Sequence, residues 1–207
     1  MSKGYHARKT GKRKPLRLLI IVCEGSRTEP TYFNRYRERG SGLKIKTLNC
    51  GDTDPVNLVE FALRQIEKND LDLSGGDEIW CVFDVDSNSN DSLEKARRLA
   101  TGKVKIALSN PCFELWYFLH FAYSEGTLTK DQLVSELEEY LDEYDPVKDY
   151  FDKLLPVRSA AIKNSAKLVK KHIDAGTALM SRASNPSTQI GDLVRFILEF
   201  EKQGAPR

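Results

Sequence analysis

The sequence has no long hydrophobic run. Its 207 residues are 40% hydrophobic and 30% charged, yet no apolar stretch approaches the ~20 residues that a membrane-spanning helix needs. No apolar segment of the secretory type precedes Leu16 either, because the residues before it are rich in Lys and Arg. We therefore expect a cytoplasmic protein with no membrane partner, long enough for one good core and an accessory subdomain.

Two motifs that bind metals or nucleotides are also missing. Four cysteines are present (Cys23, Cys50, Cys81 and Cys112), but none forms a C-x-x-C pair, which leaves a zinc site with weak support. Each lies in or just after a predicted strand, so we predict reduced, mostly buried thiols. A glycine-rich phosphate loop is absent as well, which argues against a nucleotidyl or glycosyl transferase.

Acidic residues are absent from the first 17 positions, which carry seven Lys and Arg residues. Because the net charge is +2, the rest of the chain carries 2 − 7 = −5. Residues 1–16 have almost nothing apolar to bury and are predicted to form a basic flexible tail. The tail is either an arm that contacts nucleic-acid phosphates, through residues such as Arg13 and Lys14, or a solvated terminus.

What the sequence does contain is an alternation of strand and helix patterns from residue 17 to residue 122. It predicts an α/β core with a Rossmann-like parallel sheet of about four strands and helices on both faces. The predicted strands are 17–23, 44–50, 78–84 and 103–109, and the predicted helices are 28–39, 56–68, 90–100 and 112–121. Residues 123–207 show helix patterns only, which predicts a C-terminal helical extension packed on the core.

Carboxylates follow the first and third predicted strands directly. Glu24 comes after one apolar run, and Asp84 and Asp86 come after the other. Asp84 and Asp86 point the same way, since strand side chains alternate, and the carboxyl ends of parallel strands form the crevice where ligands bind. These hard oxygen ligands suit Mg²⁺ or Mn²⁺ better than zinc, and without a cation they would repel one another. The alternative is a turn rich in Asx residues.

Glu29 and Glu114 are further candidate ligands, each with a plain alternative. Glu29 completes a capping-box pattern with Ser26, but Thr28 as the helix N-cap would leave Glu29 pointing into the crevice. Glu114 lies in the first turn of the helix predicted at 112–121, for which Asn110 is the predicted N-cap. There it is either buried with a partner or a surface glutamate favoured by the helix dipole.

Three polar residues near Glu114 are candidates for supporting roles. Ser109 and Asn110 could bind phosphate oxygens from the same first turn. His120 lies on an apolar helix, where a histidine is more often a hydrogen-bonded core residue than a catalytic base.

A stripe of lysines marks the predicted helix 160–174. Its members are Lys163, Lys167, Lys170 and Lys171, opposite an inward face of Ile162, Ala166, Val169 and Ile173. The stripe covers about 12 Å of helix, enough to meet two or three phosphates of a nucleic acid. The alternative is an ordinary solvated helix face.

Several of these stretches resemble a known family. Glu24-Gly25 and Asp84-x-Asp86 resemble the Toprim domain of topoisomerases, primases and the overcoming-lysogenization-defect nucleases. More narrowly, the chain resembles the RloB family through residues 21–33, 83–88, 109–121 and 185–188. The most specific of these is Ser-Asn-Pro-Cys-Phe-Glu-Leu-Trp, at residues 109–116.

The resemblance implies a Toprim-like core and a metal-dependent nuclease of bacterial or archaeal anti-phage defence, working with an ABC-type ATPase encoded nearby. It implies Glu24, Asp84 and Asp86 as ligands of Mg²⁺ or Mn²⁺, with Glu29 and Glu114 as additions. The choice between DNA and RNA, and between a monomer and a homodimer, stays open. The chain is too short for the domains with which a topoisomerase presents its strand-breaking tyrosine. The alternative function is a non-catalytic nucleic-acid-binding or regulatory subunit of the ATPase complex.

Overall fold

The computed structural model describes residues 16–38, 43–85 and 88–204. The strands are β1 (Arg17–Cys23), β2 (Leu43–Asn49), β3 (Glu78–Asp84), β4 (Lys105–Asn110) and β5 (Ser187–Thr188). The helices are α1 (Thr28–Glu38), α2 (Pro55–Lys68), α3 (Asn90–Ala100), α4 (Glu114–Phe118), α5 (Lys130–Glu138), α6 (Phe151–Leu154), α7 (Arg158–Asp174) and α8 (Ile190–Gly204). The predicted basic tail, with Arg13 and Lys14, lies outside the described residues, and so does Asp86.

One sheet joins the strands in the order β2-β1-β3-β4-β5. The first four strands are parallel, whereas β5 pairs antiparallel with β4. Within the described residues the sheet therefore has five strands, and the prediction of helices only after residue 122 is wrong at β5. A strand of two residues carries no periodic pattern; its place comes from β4, where Ser109 Oγ lies 2.8 Å from Thr188 Oγ1.

Helices cover both faces of the sheet, as predicted. Strand β1 is central, and its side chains alternate between two cores. Ile20 and Val22 pack towards α2 and α3. Leu19 and Ile21 pack towards α1 and the helices that follow β4. Burial on both faces explains why the sequence of β1 is a continuous apolar run. No helix among the described residues is long and apolar enough to cross a membrane.

The burial of the cysteines agrees with the prediction from the sequence. All four are free thiols; Cys23, Cys81 and Cys112 are buried and Cys50 is partly buried. The prediction of reduced, mostly buried thiols matches this arrangement.

Helix starts follow the local sequence in some places only. The sequence Asp54-Pro55 predicts a helix start with Pro at the first position; α2 indeed has Asp54 as its N-cap, and the Asp54 carboxylate accepts from two backbone amides. For α3 the sequence predicts Asn90 or Asp91 as the cap, whereas the structure has Ser89. The prediction of Thr28 as the N-cap of α1 is wrong, because Thr28 is already helical and its hydroxyl donates to Pro146 O at 2.9 Å.

The prediction of Asn110 as the N-cap of a helix is also wrong. Asn110 is the last residue of β4, and its side-chain amide donates to Ser181 O, Arg182 O and Ser184 Oγ at 3.1–3.3 Å. Helix α4 starts only at Glu114 and is short, with all five residues buried. These hydrogen bonds join Asn110 to a segment 71 to 74 residues away. Contacts at such a distance along the chain cannot be predicted from the local sequence.

The C-terminal helices share a core with the sheet. Leu133 of α5, Leu168 of α7 and Leu193 of α8 belong to the same buried cluster as Leu19 and Ile21 of β1. The residues predicted as a helical extension therefore complete one of the two layers that cover the sheet.

The inward face of α7 differs from the predicted one by one position. The buried residues are Ala161, Ser165, Leu168 and His172, whereas the predicted face ended in Ile173, which is 59% exposed. Tertiary packing decides this register, because Gly191 at the start of α8 lets Ser165 approach closely.

We expect Gly191→Ala to lower the free energy of unfolding by about 1 kcal/mol in a denaturant titration. A Cβ at position 191 would overlap Ser165 Oγ and lie 3.2 Å from Ser165 Cβ. Such overpacking costs about 1–3 kcal/mol, which exceeds the helix-propensity gain of about 1 kcal/mol at most. Adding Ser165→Ala should recover part of the loss.

Gly126→Ala is the control for this prediction, because a Cβ there would meet nothing closer than 3.7 Å. Equal stabilities of Gly191→Ala and the control would contradict the close contact of α7 with α8.

Candidate active site

A cleft of about 240 Å³ opens at the carboxyl ends of β1 and β3. Its lining residues are Glu24, Gly25, Thr28, Glu29, Thr53, Asp84, Phe113, Glu114 and Lys130. Four of the five predicted acidic residues, all except Asp86, thus share one cleft. The structure brings them together from β1, α1, β3 and α4.

Glu24 is held between two neighbouring strands. Its backbone N–H donates to Val82 O of β3 at 2.9 Å, and its Oε2 accepts from the N–H of Asp84 at 2.8 Å. On the other side, Asn49 at the end of β2 donates to the carbonyls of Glu24 and Gly25 at 2.8 and 2.9 Å. The turn after β1 is therefore fixed from both sides, with the Glu24 carboxylate beside Asp84.

Glu29 turns back from the first turn of α1 towards the end of β1. Its Oε1 accepts from the backbone N–H of Gly25 at 3.3 Å, and the residue is only 6% exposed. A Cβ at position 25 would overlap the Glu29 carboxylate. Gly25 is therefore needed for space. Burial is the main cause that raises the pKa of Glu29, and the Glu114 charge adds to it; backbone hydrogen bonds and Lys130 lower it.

Glu114 is the first residue of α4 and is 5% exposed. The alternative of a surface glutamate is therefore wrong. The hydroxyl of Tyr144 donates to its Oε1 over a long 3.4 Å. Glu114 faces the cleft as a buried carboxylate, which is the case in which a carboxylate needs a partner.

Asp84 experiences the combined effect of these charges. Its pKa is raised well above the ordinary value, first because of burial and then because of the charges of Glu29, Glu24 and Glu114; Lys130 opposes the rise. A carboxylate among others of the same charge is stabilised by a nearby cation.

The donor set suits a hard divalent cation. Oxygens of four carboxylates line the cleft, and such ligands favour Mg²⁺ or Mn²⁺. Within residues 16–38, 43–85 and 88–204, no three His, Cys, Asp or Glu side chains are arranged to hold a metal ion. Asp86, the third ligand that we predict, is outside those ranges.

The three predicted supporting residues do not line the cleft. Ser109 and Asn110 are buried and bonded to β5 and to the segment 181–184, as described above. His120 is also buried, with its Nδ1 2.8 Å from Trp116 O. Burial lowers the pKa of His120 to about 4, so its surroundings are those of a neutral core histidine.

A separate groove, which shares no lining residue with the cleft, is lined by three lysines of the α7 stripe, namely Lys167, Lys170 and Lys171. Lys163, Lys167 and Lys170 are exposed and Lys171 is partly buried. Lys167 and Lys171 lie 3.7 and 3.5 Å from the Glu125 carboxylate. Lys170 lies 2.7 Å from Asp174. Acidic neighbours thus offset part of the stripe's charge.

Sequence reasoning missed Lys130 and Thr53. Lys130 is the first residue of α5, next to a capping box made by Thr129 and Gln132. The T-x-x-Q pattern locates the helix start. Only the packing of α5 against α4 brings Lys130 to the cleft, so no local signal could have found it.

The charge crowding predicts a pH dependence of stability. The pKa of Asp84 is higher in the folded than in the unfolded protein, so folding favours its protonated form. The contribution of Asp84 to stability should therefore be largest below the ordinary value of 3.8 and be lost as pH rises through the interval up to the folded pKa. The slope is at most about 1.4 kcal/mol per pH unit. We expect Asp84→Asn, with metal chelated, to flatten this fall in denaturant titrations at several pH values.

Asp142→Asn is the matched control, because Asp142 is exposed after α5 and outside the cleft. Equal slopes for wild type and Asp84→Asn would show that the carboxylates do not crowd Asp84.

A comparison with protein families adds one finding. A family model described as "RloB-like protein" matches residues 19–197, which confirms the resemblance to the RloB family. The matched range contains every residue that lines the cleft. No curated protein and no solved structure matches the chain.

Proposed function

The chain belongs to the RloB-like protein family, and from this premise we propose that it is a metal-dependent nuclease that hydrolyses phosphodiester bonds of DNA or RNA. The observation that carries the proposal is the cleft in which Glu24, Glu29, Asp84 and Glu114 meet at the carboxyl edge of the sheet. Ligand sites of open α/β sheets lie at this edge.

Glu24, Asp84 and Asp86 would hold Mg²⁺ or Mn²⁺, with Glu29 and Glu114 as additions. A divalent ion bound there would supply Lewis-acid stabilisation of charge on a phosphate and a water molecule of lowered pKa. The hydrogen bond from the Asp84 amide orients the Glu24 carboxylate.

The proposal extends to the setting in which the protein works. Glu24-Gly25 and Asp84-x-Asp86 follow neighbouring strands, which supports a Toprim-like core. Family membership supports a cytoplasmic role in anti-phage defence with an ABC-type ATPase as partner. The basic tail and the lysine stripe would hold the nucleic acid.

The nuclease proposal predicts cleavage of DNA or RNA by the purified protein with Mn²⁺ or Mg²⁺, alone or with the ATPase encoded nearby. Asp84→Asn and Glu24→Gln should each lower the cleavage rate by about 100-fold or more, since even residues behind metal ligands contribute 10–100-fold. Asp142→Asn should cleave like wild type.

Two results would contradict the proposal. One is the absence of cleavage by wild type under all of these conditions. The other is an Asp84→Asn variant with full activity, which would place the active site elsewhere. Metal-dependent nucleic-acid binding without any cleavage would instead support the non-catalytic subunit.

The binding role of the lysine stripe is tested by the salt dependence of affinity. Lys163→Glu combined with Lys167→Glu should weaken nucleic-acid binding. It should also lower the slope of log K against log salt by about 1–2, since each phosphate contact contributes about 0.7–0.9. Fluorescence anisotropy at several salt concentrations measures both effects.

Charge reversal of Lys68 and Lys95 is the control, because both residues are exposed on α2 and α3, on the other face of the sheet. If the slope of log K against log salt in the stripe variant equals that of wild type, the stripe is a solvated helix face that does not bind nucleic acid.

A further inference from the structure

One basic residue, Lys130, lines the cleft together with the carboxylates. Of the described residues that line it, four are acidic and only Lys130 is basic. The backbone at Lys130 is well defined, because Thr129 N–H donates to Gln132 Oε1 at 2.8 Å and Gln132 N–H donates to Thr129 Oγ1 at 3.2 Å. The side chain itself is exposed at the rim of the cleft. A fixed backbone therefore carries an ammonium group to the acidic cluster.

The helix does not account for a lysine at this position. Lys130 is the first residue of α5, where the positive end of the helix dipole disfavours a cation. An acidic residue is preferred in the first turn, and Asp131 follows that preference. The unfavourable interaction of Lys130 with the helix dipole is offset by its attraction to the carboxylates across the cleft.

The charge of Lys130 acts on these carboxylates in the expected direction. It lowers the pKa of Asp84 and of Glu29, against the acidic neighbours and the burial that raise both values. These two carboxylates come from β3 and α1. Lys130 thus opposes the repulsion within a cluster of carboxylates that four separate elements assemble.

We propose that Lys130 is the counter-cation of the metal-free cleft and that a divalent metal must displace it to bind. The inference rests on the metal site of the proposed function. Binding is then an exchange in which the side chain leaves the carboxylates for the solvent at the rim. Lys130 stabilises the fold without metal and raises the metal concentration at which the site fills.

The test compares Mn²⁺ affinity by calorimetry in wild type, Lys130→Met and Lys130→Arg. Lys130→Met keeps an unbranched side chain, one atom shorter, and removes its charge. We expect it to bind Mn²⁺ on the order of tenfold more tightly, an effect between those of exposed and partly buried charge pairs. Its melting temperature without metal should be lower than that of wild type. Lys130→Arg should keep the wild-type affinity.

Lys95→Met is the control, because it removes an exposed lysine of α3 on the other face of the sheet. Equal or weaker Mn²⁺ binding by Lys130→Met would overturn the inference and leave the metal site standing. Failure of wild type to bind Mn²⁺ would overturn the metal site of the proposed function, and the inference with it. Because affinity is measured without substrate, neither result depends on cleavage.

Discussion

The site depends on the adjacency of β1 and β3. These strands are central and parallel, with Cys23 paired to Val82, and their ends are joined by the bond from the Asp84 amide to the Glu24 carboxylate, across 60 residues of sequence. Apolar burial on both faces holds the two strands in this register. Helices α1 and α4 then need only pack on the same face to bring Glu29 and Glu114 to the edge where β1 and β3 end.

The parts of the fold that could be predicted are those whose cause is local. The apolar runs of β1 and β3 predict buried parallel strands, and Asp54-Pro55 predicts the start of α2. The errors fall where distant contacts decide. Strand β5 is too short to show a period, Asn110 is bound to a segment far along the chain, and the register of α7 is set by a glycine of α8.

The same distinction applies to the site. Its carboxylates could be found from the sequence, since strand ends and first helical turns are local features that a sheet gathers at one edge. Lys130 could not, because it reaches the cleft from α5, beyond the alternating region, and only tertiary packing brings it there. The lysines of α7 show the same limit from the other side. Their spacing is evident in the sequence, but their ion pairs with Glu125 and Asp174 become evident only in the structure. Candidate functional residues are thus easier to predict from the sequence than the opposite charges that lie beside them.

The close approach of Glu29 to Gly25 has a consequence for altering this protein. The missing side chain at position 25 reserves the volume that the Glu29 carboxylate fills. The place of one acidic group is therefore controlled by the size of a neighbour that carries no charge. Enlarging residue 25 would expel a carboxylate from the cleft while leaving every ionisable group in the protein chemically intact. Position 25 therefore allows the carboxylate of Glu29 to be displaced without being removed, which substitution of Glu29 itself cannot achieve.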